Sequence, residues 1–68
     1  MGGNMRTLVL SEREIECMVL LSEGKSRREI ADELCLAIQT VNNHIDGAFN
    51  KLGAINAPHA VRLFLENQ

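Results

Sequence analysis

The chain has 68 residues, 46% of them hydrophobic, with two Phe, no Tyr, no Trp and a formal net charge of −2. That length allows one domain, which buries only roughly 60% of the surface its unfolded chain exposes, so a partner subunit would add stability. The lack of aromatics argues against base stacking, apolar runs as short as 8–10 and 18–21 exclude a membrane span or a secretory signal, and the negative balance weighs against the phosphate attraction of a typical nucleic-acid binder.

A cytoplasmic protein is expected. Cys17 and Cys35 lack CxxC spacing and lie on or beside apolar helical faces, so they read as reduced, small core hydrophobes. His44 and His59 are far apart, and neither adjoins a nucleophile and carboxylate in a catalytic arrangement. No metal site, cofactor or catalytic residue is expected.

Residues 1–9 begin Gly-rich and without periodicity, and are expected to form a flexible segment before a domain over 10–68. Ser11 and Glu14 have capping-box spacing, with Leu10 as the staple residue and Glu12 and Glu14 at the positive end of the helix dipole. This starts a first helix with an inward stripe of Cys17, Met18 and Leu21, flanked by Ile15, Val19 and Leu20. Gly24 follows where a left-handed cap is wanted. Ser26 and Glu29 repeat the box and start a second helix from about Arg27 to Leu34, with Ile30, Ala31 and Leu34 on one face.

Cys35, Leu36 and Ala37 then form a connection short enough to force a sharp angle, although the glycine often found there is missing. Val41, Ile45, Ala48, Phe49 and Leu52 mark the buried side of a third helix. Its expected cap, Ala37, has no side-chain acceptor, a loss of about 1 kcal/mol relative to Ser. Gly47 weakens the helix unless a close contact needs it, and Gly53 ends it. A fourth helix follows, capped by Asn56, with Pro58 in its first turn and an apolar face of Ala60, Val61, Phe64 and Leu65. The free side of the third helix carries Gln39, Asn42, Asn43, Asp46 and Asn50, hydrogen-bonding groups with almost no charge. Four of the seven basic residues, Lys25, Arg27, Arg28 and Lys51, border that stretch.

Taken together, the residues from Leu10 onward resemble the LuxR-type (GerE-type) helix-turn-helix DNA-binding domain. The resemblance runs through Leu10-Ser-Glu-Arg-Glu-Ile-Glu16, Leu21, Glu23-Gly24, Ser26, Glu29-Ile30-Ala31, Leu34, Thr40-Val41, His44, Lys51-Leu52-Gly53, Asn56 and Ala60-Val61. It implies an all-α, four-helix fold standing alone, without a receiver or ligand-sensing domain, in a transcriptional regulator that binds double-stranded DNA as a homodimer. By that resemblance Gln39, Asn42, Asn43 and Asp46 face the major groove, and Thr40 and Lys51 approach phosphates. The fourth helix carries the dimer, with Leu63 and Leu65 as candidate contacts.

The chemistry of the face agrees, since Asn and Gln can pair bidentately with adenine and an acidic side chain can accept from cytosine. Arg27 and Arg28 are placed to grip the DNA backbone, or else to pair with Glu29, Asp32 or Glu33. The departures from the family pattern point elsewhere. Asn42 stands where Lys is usual, Asn50, Ile55 and Ala57 stand where basic residues are common, and Ile38 occupies a usually polar position. A depleted basic surface with apolar neighbours suits a second reading, an interaction module whose Ile38 and Ile55 surface binds another regulator rather than DNA.

Overall fold

The computed structural model describes residues 9–66, so most of the expected flexible segment over 1–9 lies outside the described residues. Four helices follow one another: α1 over Glu12–Ser22, α2 over Arg27–Leu34, α3 over Ile38–Leu52 and α4 over Ala57–Glu66. There is no strand among the described residues, and no helix there is long and apolar enough to cross a membrane.

Both capping boxes form as the spacing predicts. Ser11 Oγ accepts from the Glu14 N–H at 3.2 Å, and the Ser11 N–H donates to Glu14 Oε1 at 2.8 Å. Ser26 and Glu29 repeat the pair at 3.1 and 2.8 Å. α3 starts at Ala37 without a side-chain cap. At α4 the Asn56 side chain accepts from the His59 N–H at 2.9 Å, and His59 Nδ1 accepts from the Ile55 N–H at 3.2 Å.

Three helix ends share one closing geometry. The N–H of Lys25 reaches back to the Leu20 carbonyl, that of Leu36 to Ala31 and that of Ala54 to Phe49, each across a left-handed residue. This is the Schellman arrangement, which favours glycine because a Cβ crowds the backbone at positive φ. Gly24 (φ 92°) and Gly53 (φ 74°) fill the first and last of these positions, whereas Cys35 takes the middle one at φ 58°. The glycine missing from the central turn is therefore replaced by a strained cysteine. Its side chain is exposed, so Cys35 is no core hydrophobe; Cys17 is fully buried, which raises its thiol pKa.

The core divides into two clusters that meet along α3. Cys17, Leu20, Ile30, Ala31, Val41 and Ile45 join α1 and α2 to the first half of α3. Leu10, Met18, Ala48, Leu52, Ala60 and Phe64 join α1 and α4 to its second half. Leu21 and Phe49 pack against both, so Leu21 bridges clusters half-buried while Leu20, expected only to flank the stripe, is buried. Alternation of α3's contacts leaves its polar side outward, which fixes what this helix can present.

Candidate nucleic-acid interface

The expected reading residues do share the free side of α3. Gln39, Asn43 and Asp46 are exposed, and Thr40 and Asn42 are half-buried. Gln39 Nε2 stands 3.5 Å from Asn43 Oδ1, a loose contact that leaves both amides open to solvent. Three cations border this stretch: Arg27 and Arg28 at the start of α2, and Lys51 in the last turn of α3. An open apolar groove on α1 and α2, lined by Ile15, Val19, Leu20 and Leu34, includes none of these residues.

The two α2 arginines are not equivalent. Neighbours on a helix point about 100° apart, so only one can turn toward α3. Arg28 is exposed, with no partner among the described residues. Arg27 is half-buried and reaches across the turn instead of pairing with Glu29, Asp32 or Glu33. Its Nη1 donates to Asn42 Oδ1 at 2.9 Å and lies 3.5 Å from Asp46 Oδ1, and its guanidinium carbon sits 5.8 Å from the centroid of the Phe49 ring. The positive charge absent from the Asn42 side chain is thus brought to the same place by Arg27.

Lys51 is held on the opposite flank of α3. Its Nζ donates to Glu14 Oε1 at 2.8 Å, the oxygen that also accepts from the Ser11 N–H. Glu14 is buried, and this second partner was not visible in the spacing that marks it as a cap residue. Burial pushes the carboxyl pKa up, but the hydrogen bonds from Lys51 and Ser11 and the ammonium charge outweigh it, and the pKa falls below the usual value. The other oxygen, Oε2, lies against Gly47, where a Cβ would come within 2.6 Å of it. The close contact expected at Gly47 is therefore with a side-chain carboxylate. An ammonium has three donors, so Lys51, with 41% of its side chain exposed, keeps donors for another acceptor.

Comparison with known proteins now bears on these residues. The family model for bacterial regulatory proteins of the luxR family matches residues 8–64. The chain belongs to the luxR family. It is an all-helical helix-turn-helix DNA-binding domain of a family of transcriptional regulators, not of enzymes. It is similar to the transcriptional activator protein ExaE of Pseudomonas putida, at 37% identity over 96% of this chain and 30% of that protein. The transcriptional activator protein ExpR of Pectobacterium parmentieri is 43% identical over 88% of this chain and 24% of its own length. The spore germination protein GerE of Bacillus subtilis is 43% identical over 78% of this chain and 72% of that protein. The chain thus spans under a third of the two activators but most of the length of GerE. No solved structure matches it.

Proposed function

We propose that this chain regulates transcription by sequence-specific binding of double-stranded DNA as a homodimer. The observation that carries the reading is the outward side of α3, where Gln39, Asn42, Asn43 and Asp46 offer donors and acceptors, with Arg27 and Arg28 on the neighbouring α2 and Lys51 in the last turn of α3. In this reading the amides and the carboxylate meet base edges in the major groove. Arg28, Thr40 and Lys51 meet phosphates, and Arg27 brings its charge to the same surface. Of the nine carboxylate side chains only Asp46 belongs to α3, so the net negative charge is carried mostly by other parts of the chain.

A homodimer formed through α4 would set two α3 helices about 34 Å apart on a two-fold site. Leu65, 54% exposed, supports α4 as the contact, while Leu63 is half-buried against the protomer's own core. The alternative protein-binding surface is less well supported. Ile38 and Ile55 are exposed, at 45% and 83%, but they flank opposite ends of the 15-residue α3, about 22 Å apart, and form no single patch.

Titration of the chain with specific and scrambled duplexes at several salt concentrations tests this reading. A sequence-dependent affinity is expected, with a logarithmic salt slope of about −0.9 for each phosphate contact. Salt-independent or absent binding to every duplex would favour the protein-binding alternative. Sedimentation of Leu65→Glu should show a folded monomer where the parent is a dimer, and a parent that is monomeric well above binding concentrations would refute the homodimer.

A further inference from the structure

We infer that Arg27 is a positioning residue for base recognition, holding the Asn42 amide so that it presents donors to the groove. The inference rests on the proposed DNA-binding reading and adds which base the Asn42 position selects. A guanidinium has only donors, so the oxygen of the Asn42 carboxamide must be the atom that faces it. The 2.9 Å contact from Arg27 Nη1 to Asn42 Oδ1 therefore assigns the amide's orientation by chemistry. Arg27 is itself held from two further sides, by Asp46 Oδ1 at 3.5 Å and by the face of Phe49, which is packed between the two core clusters. A planar cation lodged between a carboxylate, an amide oxygen and an aromatic ring has a defined place, unlike a chain-end lysine.

The consequence lies in what remains of the amide. A free asparagine can turn over and offer one acceptor and one donor side by side, the pattern that matches adenine N6 and N7. With Oδ1 turned to Arg27, the outward group is the NH2, and the side chain offers donors. Guanine presents two adjacent acceptors, N7 and O6, in the major groove, whereas adenine presents a donor beside its acceptor. The Arg27 contact thus biases the Asn42 position toward guanine. Loss of Arg27 frees the amide to turn over and moves the preference at that position toward adenine.

Selection from a pool of duplexes with randomised positions, performed on the full chain, tests the assignment. The parent should enrich guanine at one position of each half-site, and Asn42→Ala should lose preference at that position alone. Arg27→Ala should shift the same position toward adenine by about tenfold in relative affinity, the scale of one bidentate base contact. Its salt slope should match the parent's. Arg27→Met, which keeps the length of the stem but has no donor, should shift the same position in the same direction, because it leaves Asn42 Oδ1 without its donor. If Arg27→Ala lowers affinity for all duplexes equally and flattens the salt slope by about one phosphate contact, Arg27 is a backbone contact and the inference fails while the DNA reading stands. A methionine variant with the parent's preference also overturns it. If the parent enriches no duplex at any salt concentration, the DNA-binding reading falls and takes this role with it.

Discussion

The two flanks of α3 are tied to the rest of the molecule by ion pairs in which α3 supplies the cation on one side and the carboxylate on the other. On the α1 side, Lys51 meets a Glu14 carboxylate that is buried, fixed by the Ser11 N–H and seated against the bare backbone of Gly47. On the α2 side, Arg27 meets an Asp46 carboxylate whose side chain is 66% exposed, together with the Asn42 amide. Exposed pairs contribute little to stability because water screens them, whereas a charged hydrogen bond to a buried group is costly to break. One flank of α3 is therefore anchored in the interior, and the other is held only by contacts near the surface. The pairs are best separated by measuring stability and recognition on the same variants.

The largest effect is expected at the anchored flank. Glu14→Ala removes half of a capping box and the partner of Lys51, and should cost about 2 kcal/mol, or a fall of roughly 10 °C in Tm by circular dichroism. Acid should reveal the same group. Because its pKa is lowered in the folded state, Glu14 contributes fully above the ordinary glutamate range, and that contribution is lost as pH falls through the folded value. Glu29 contributes with the same sign, its pKa lowered chiefly by the Ser26 N–H. Urea midpoints measured from about pH 6 to pH 3 should therefore fall less steeply for Glu14→Gln than for the parent, with a residual slope from Glu29. Equal slopes would show that Glu14 is not held by Lys51 in solution.

Gly47→Ala is expected to change sign with its background. Alone it gains about 1 kcal/mol of helix propensity but displaces Glu14, whose ties are worth more, for a net loss of about 1 kcal/mol. In Glu14→Ala the obstacle is gone, and the same substitution should stabilise by about 1 kcal/mol. Additive effects would mean that the carboxylate moves aside at no cost.

How much of this was legible in the sequence follows from the range of each interaction. The capping boxes, the left-handed glycines and the buried side of α3 are written in spacings of two to five residues, and the structure has them where those spacings put them. Gly47 was legible as a close contact, but not its occupant, because Glu14 reaches Lys51 across 37 positions. Arg27 and Arg28 read as an equivalent pair. Only the angle between α2 and α3 separates them, and that angle depends on Cys35–Ala37 adopting a left-handed turn without glycine. Cys35→Gly should relieve that strain and raise stability by roughly 0.5–1 kcal/mol, somewhat offset by the freer unfolded chain, as a chemical denaturation curve would show. A loss of stability would mean that the Cys35 side chain makes contacts that outweigh its backbone strain.

The smallest expected effect on stability belongs to Arg27, and its smallness is what distinguishes the two flanks of α3. Arg27→Ala removes an amide contact, an exposed ion pair and a cation over a ring, all near the surface, and should cost only about 0.5 kcal/mol. Its melting curve should nearly overlay that of the parent, while its base preference moves by about tenfold. Glu14→Ala should do the reverse, melting earlier yet selecting the same bases when compared well below its Tm, because Gln39, Asn42 and Asn43, the amides proposed to face the groove, sit a full turn or more from Gly47. A variant set in which both substitutions lower Tm alike, or both alter base preference alike, would erase the distinction between an anchored flank and a proposed reading flank. The helix would then act as one rigid unit, with recognition inseparable from its packing.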